Sequence, residues 1–157
     1  MSATSTKTYK SFAKNFRIIC EPDAPAFNKV KVSSSREIDF FLRNLWNIGQ
    51  DIEIVESFYI LLLNQGNNIT GWVKLSSGGL TGTVADPVLV AKYAIEQLAK
   101  KVVIAHNHPS GNLQPSRADE EMTRRIKEGL KLFDIQLLDH IILTDESYYS
   151  FSDEGII

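Results

Sequence analysis

Apolar and polar positions along this chain switch between two periods, and the switches mark its elements. Ile38, Phe41, Leu42, Leu45 and Trp46 recur at helical spacing behind Ser34 and Glu37, an S-x-x-E capping box, and the pattern stops at Gly49. This predicts a first amphipathic helix. ESFYILLLN (56–64) is a short apolar run that ends in a Gln-Gly-Asn-Asn turn before ITGWVKL (69–75), the pattern of a hairpin with one strand central in a sheet. The loop SSGGLTGTVADP (76–87) holds three glycines, and its Asp86-Pro87 supplies an N-cap and first-turn proline for a second helix, VLVAKYAIEQLAKK (88–101). VVIAHNH (102–108) reads as a buried strand stopped by Pro109. SRADEEMTRRIKEGLKLF (116–133) reads as a third helix with the apolar stripe Met122, Ile126, Leu130 and Phe133, and IQLLDHIILT (135–144) with YYSF (148–151) as closing strands. Strands alternating with helices, plus antiparallel hairpins, predict a compact α/β sandwich without internal repeats. Trp46, Trp72 and the aromatic run at 148–151 fit the core of such a fold better than a surface for stacking on bases.

Ahead of these elements, residues 1 to about 30 are polar or interrupted by proline (EPDAP, 21–25), a tail with one short strand around Phe16 to Cys20. The tail is also basic. Residues 1–36 carry seven Lys or Arg against Glu21 and Asp23, a charge of +5, which leaves −7 on the remainder within a net charge of −2. Two units are therefore expected, a basic N-terminal tail at 1–33 and a domain at 34–157. Such an arm can touch nucleic acid or an acidic partner, or remain a solvated terminus. With 157 residues, 43% of them hydrophobic, the chain suits one globular core. No apolar run approaches the roughly 18–20 residues of a membrane span, and MSATSTKTYK lacks the apolar centre of a secretory signal, so no membrane partner and a soluble, cytoplasmic protein are expected. The single cysteine, Cys20, excludes an internal disulfide and offers no thiolate pair for a metal.

Candidate chemistry is concentrated in AHNHPSGNLQPSRAD (105–119). Residues i and i+2 of a strand share a face, so His106 and His108 project together from the end of VVIAHNH. In the following helix, stepping back three from Met122 reaches Asp119, which places a carboxylate on the core-facing stripe. A carboxylate there needs a cation or hydrogen-bond donors, because an unpaired one costs several kcal/mol or takes up a proton. Two histidines and one carboxylate are a common way to hold a catalytic zinc, since three protein ligands leave the fourth position for water. Iron or manganese can take the same ligands. Each piece also has a plain structural reading: Ser116 and Asp119 as a capping box, HPSG as a turn, H-x-H as two unrelated side chains. Capping does not explain why both histidines share a face directed at that helix start.

The spacing H-x-H, seven residues, S, two residues, D resembles the metal signature of the JAMM (MPN+) metalloprotease superfamily, and His106, His108, Ser116 and Asp119 fit it without insertion or deletion. HNHPSG, PS-x-x-D, LLDHIIL and YYSF with DEG narrow the resemblance to the bacterial RadC family, over roughly residues 34–157. The resemblance implies a JAB/MPN (cytidine-deaminase-like) α/β/α sandwich with a mixed, partly antiparallel sheet. It also implies that Glu56, at the head of E-x-F and an apolar run, is the general acid/base, and that Ser116 donates its hydroxyl to the oxyanion of a tetrahedral intermediate. The chain departs from many relatives at Asp86-Pro87-Val88, where they carry an arginine after the proline, and residues 1–33 hold no helix-hairpin-helix-like segment. His140, in a strand beside Asp139, reads as a hydrogen-bonded residue behind the ligands rather than a ligand.

Three functions follow as expectations. The first is a zinc hydrolase of the RadC family, acting on a protein, peptide or small amide through Glu56, Ser116 and one Zn2+ on His106, His108 and Asp119. The second is a DNA-repair-associated protein that binds nucleic acid through the basic arm, whose affinity would fall steeply with salt. The third is a metal-binding scaffold without turnover.

Overall fold

Seven consecutive buried residues, Ser57–Leu63, form a strand that faces core on both sides, which explains its unbroken apolar run. A computed structural model of the protein describes residues 30–49, 52–77 and 85–157. The predicted strand at Phe16–Cys20, the basic arm up to residue 29 and the glycine loop at 78–84 lie outside the described residues. Within them the order is α1 (Ser35–Gly49), β1 (Ser57–Leu63), β2 (Ile69–Ser77), α2 (Pro87–Glu96), β3 (Lys101–Asn107), α3 (Arg117–Lys131), β4 (Gln136–Leu143) and β5 (Tyr148–Ser150). The strands make one sheet in the order β2-β1-β3-β4-β5. All neighbours are antiparallel except β3 and β4, which run parallel and are joined across the sheet by α3.

Alternation along the strands feeds two cores. Phe58, Ile60 and Leu62 of β1 and Val102 and Ile104 of β3 pack under α2 and α3 with Val90, Ala94, Ile126 and Leu130. Tyr59, Leu61, Leu63, Val103 and Ala105 face the other way, onto Ile38, Leu42 and Trp46 of α1. The result is the α/β/α sandwich with a mixed sheet that the pattern and the resemblance imply. No helix among the described residues is long and apolar enough to cross a membrane.

Start signals hold closely. Asp86 caps α2 by accepting from Val88 N at 2.9 Å, with Pro87 in the first turn. At α1 the Ser34 hydroxyl accepts from Glu37 N at 3.3 Å, while the Glu37 carboxylate reaches Ser33 N, one residue earlier than a capping box requires. Stop signals fare less well. α2 ends at Glu96 rather than continuing to Lys101, because the next residues are drawn into the sheet: Lys100 N donates to Leu63 O, Lys100 O accepts from Gln136 N, and Lys101 opens β3. Phe133 is 53% exposed instead of completing the apolar stripe of α3. The helix stops at Lys131, Asp134 turns left-handed with φ 54°, and Ile135 enters the core in its place. Trp72 is also exposed, since β2 is an edge strand, whereas Trp46 and Phe151 are buried as expected.

Two leucines near the end of α3 test this packing. Leu130→Ala should cost about 2–5 kcal/mol in urea unfolding through the cavity it leaves, while Leu132→Ala, at a position 82% exposed, should stay within about 0.5 kcal/mol of the parent. Equal losses would contradict the helix orientation.

Candidate metal centre

The last residues of β3 and the first turn of α3 meet beyond the carboxyl end of the parallel pair, the place where open α/β sheets gather their ligands. His106 is buried in β3, and His108 follows one residue past the strand with its side chain 17% exposed. Their Nε2 atoms stand 2.9 Å apart. Asp119 completes the group from α3: Oδ1 is 3.3 Å from His106 Nε2 and Oδ2 is 3.8 Å from His108 Nε2. Atoms that share one ion through bonds of about 2.1 Å stand no more than about 4.2 Å apart, and the contact of each pair lies inside that limit, Oδ1 serving His106 and Oδ2 serving His108. His106, His108 and Asp119 thus form a group that can hold a metal ion.

The surroundings prepare these side chains. His108 Nδ1 lies 2.6 Å from the carbonyl oxygen of Asn112. A carbonyl only accepts, so Nδ1 carries the hydrogen and the neutral ring turns a lone pair on Nε2 towards the site. Asp119 is partly buried, which raises its pKa, but the hydrogen bond and charge of His106 and the bonds from Ser116 outweigh burial and hold the carboxyl well below the usual range. Ser116 N and Ser116 Oγ both donate to Asp119 Oδ2 at 2.7 Å, and Ser116 Oγ accepts from Asp119 N at 3.2 Å, a complete capping box at the rim of the site. The predicted ligand, Asp119, is thus also the second member of the predicted capping box.

His140 stands behind His106, as the sequence suggests. Its Nε2 is 2.8 Å from His106 Nδ1 and its Nδ1 is 2.7 Å from Thr123 Oγ1. It is fully buried, stacked 4.4 Å from the ring of Phe151, and burial pushes its pKa well below the ordinary imidazole value, helped by the neighbouring His106. Asp139 does not pair with that ring. Its carboxylate turns to Ser150 Oγ, Ser152 N and His140 N.

Glu56 precedes β1 by one residue. The pairing of β1 with β3 ends at Phe58 opposite His106, and Glu56 lies two residues beyond it, at the same end of the sheet as His108. Sequence reasoning missed what holds that segment in place. Asn107, fully buried between the histidines and of opposite parity, accepts from Ser57 N at 2.7 Å and donates to Ile52 O at 2.6 Å and Val55 O at 3.0 Å. One amide thereby clamps the backbone on both sides of Glu56. Its signal was available, since an amide inside an apolar strand has to find partners. An open cleft of about 300 Å3 runs beside His108, lined also by Glu53, Pro109, Ser110, Thr144 and Glu146.

Known proteins are similar to this chain over most of its length. A family model described as RadC-like JAB domain matches residues 32–156. A UPF0758 protein of Flavobacterium johnsoniae is 46% identical over 101 residues, which covers 64% of this chain and 44% of the relative. Another, from Fusobacterium nucleatum, is 37% identical over 149 residues, 95% of this chain and 60% of the relative. A third, from Porphyromonas gingivalis, is 41% identical over 103 residues, 65% of this chain and 45% of the relative. The chain spans about half the length of these relatives.

Two measurements follow. Asn107→Leu strands one buried donor and two carbonyls, which should cost on the order of 3 kcal/mol in urea unfolding; an unchanged midpoint would remove Asn107 from this role. For His140 the folded pKa is depressed, so the unfolded chain takes up the proton more readily. Its contribution to stability is fully present above the unfolded value of 6.5 and is lost as pH falls below it towards the folded value. Chelator-treated protein should therefore melt at lower temperature at about pH 5 than at about pH 7, and His140→Phe should show a shallower decline. Identical slopes would show that another group carries the dependence.

Proposed function

The chain belongs to the RadC-like JAB domain family, and from that premise we propose that it is a JAMM-type metallohydrolase that cleaves amide or isopeptide bonds in a protein, peptide or small-amide substrate. The observation that carries the reading is the convergence of two imidazole Nε2 atoms and one carboxylate, within 4.8 Å of one another, at the end of a central strand. His106, His108 and Asp119 would hold one zinc ion, a donor set that suits zinc and leaves room for a water. When bound, the ion would supply a Lewis acid that lowers the pKa of water towards about 7 and polarises a substrate carbonyl.

The chain's own residues do the remaining work. Glu56, two residues before the Phe58–His106 pair and outside the ligand group, accepts the proton of the attacking water and returns it to the departing nitrogen. Asn107 keeps that glutamate in register by fixing the backbone before and after it. Ser116 is exposed at the rim, so its hydroxyl can swing from Asp119 Oδ2 to an oxyanion. The swing leaves the carboxylate capped, because Ser116 N still donates to the same oxygen and Ser116 Oγ keeps a lone pair for Asp119 N.

Elemental analysis tests the proposal first. The purified protein should hold about one zinc per chain and a folded His106→Ala, His108→Ala variant almost none. Glu56→Gln should keep the metal while amide turnover, screened on peptide and isopeptide substrates, falls roughly 10²- to 10⁴-fold. Parent protein that retains no metal after zinc addition and dialysis would overturn the reading.

A further inference from the structure

The hydrogen bonds behind His106 have a direction, and a backbone carbonyl sets it. Asp119 O has no hydrogen to give, so Thr123 Oγ1, 2.6 Å away, donates to it. That uses the only hydroxyl hydrogen, and Thr123 Oγ1 must accept from His140 Nδ1 at 2.7 Å. A neutral imidazole carries one N–H. With that hydrogen on Nδ1, His140 Nε2 is an acceptor, and His106 Nδ1 at 2.8 Å has to be the donor. His106 Nε2, the atom that faces His108 Nε2 and Asp119 Oδ1, is then the one nitrogen outside the run, and a hydrogen shared with those two atoms is what an ion would replace.

We propose that Thr123 and His140 are positioning residues of the metal centre: a one-way run of hydrogen bonds from His106 to the Asp119 carbonyl locks His106 in the tautomer whose Nε2 can bind an ion. The inference rests on the metallohydrolase reading above and adds to it how the buried ligand is kept ready. His108 reaches the same state in one step through Asn112 O. His106, buried in mid-sheet, needs two intermediaries. The run also joins two ligands, because it leaves β3 at His106 and returns to α3 at Asp119 itself. Its members are all buried: His106 at 1% exposed, His140 at 0% and Thr123 at 3%, so no water competes for the bonds. Parallel pairing makes it possible. Ile104 lies opposite His140, which puts His140 on the same face as His106, and the rings of Phe151 and Phe58 at 4.4 and 6.3 Å resist a flip of the imidazole. Ligating histidines usually hand their second N–H to a carboxylate, a carbonyl or water. Here an uncharged side chain takes that place, while the nearby carboxylate of Asp139 is engaged elsewhere.

Nitrogen-15 NMR of the histidine rings in metal-free protein at about pH 8, above the ordinary imidazole range, reads the tautomers directly. His106 and His140 should both carry the hydrogen on Nδ1. Thr123→Val keeps the shape but removes the oxygen, so the His140 hydrogen should move to Nε2 and drive the His106 hydrogen onto its own Nε2. Zinc affinity should fall roughly 10- to 100-fold, with Thr123→Ser restoring both tautomers and affinity. A bare Nδ1 on His106 in the parent, or a folded Thr123→Val protein with parental tautomers and zinc affinity, would overturn the proposal; if that variant does not fold, the parent spectrum decides. Predicted tautomers in a parent that binds no zinc would sink the metallohydrolase reading, and with it the metal-positioning role, while upholding the direction of the hydrogen bonds.

Discussion

A parallel pair of strands can be joined only by a crossover, and the β3-α3-β4 crossover fixes the place of the candidate metal centre. It delivers the amino end of α3 to the carboxyl end of β3, so the last side chains of the strand meet the first turn of the helix. Backbone N–H groups at that helix start favour negative charge, which suits Asp119 as a member of the capping box and as a candidate ligand. The crossover also seats β4 beside β3 in matched orientation, bringing His140 behind His106. Losing the parallel register would separate all these contacts at once.

Strand parity divides the work further. Even-numbered His106 and His108 look towards α3 and meet the carboxylate, whereas Asn107 looks towards the opposite layer and secures the segment leading into β1. One three-residue stretch thus supplies two candidate ligands and a brace for the backbone on both sides of Glu56. The arrangement is economical in sequence because the sheet geometry, rather than extra loops, sets the relative placement. Regular elements also hold a site more tightly than loops do.

What could be read from the sequence follows the range of the interactions involved. Strand period placed the two histidines on one face, and helical period placed Asp119 on the inner stripe, because both depend on neighbours a few residues away. Asp86 and Ser116 were legible as caps for the same reason. The early end of α2 was not, since it depends on ladder bonds from Lys100 to Leu63 and Gln136, far along the chain. Phe133 misled because its stripe continues past the point where Asp134 turns the backbone. Trp72 misled because an aromatic residue looks alike on central and edge strands. Glu56 carries no local signal and stands out by family resemblance alone, while Asn107 carries only that of an amide inside an apolar strand.

Asp119 shows why the structural and chemical readings of a short motif need not compete. An ionised carboxylate offers about four lone-pair directions. Ser116 uses one oxygen, Oδ2, through its N–H and hydroxyl, and Oδ1 remains directed at His106 Nε2. The cap holds the carboxylate in one rotamer before any ion arrives, which removes part of the ordering cost of forming a site. Its hydrogen bonds also add to the larger effect of His106 in keeping the group ionised despite its burial, the state in which a carboxylate can bind a metal. A capping box that served only the helix could use any exposed first turn. This one lies where its carboxylate meets two imidazoles, Oδ1 at His106 and Oδ2 at His108, and that coincidence makes Asp119 a candidate ligand as well as part of a cap.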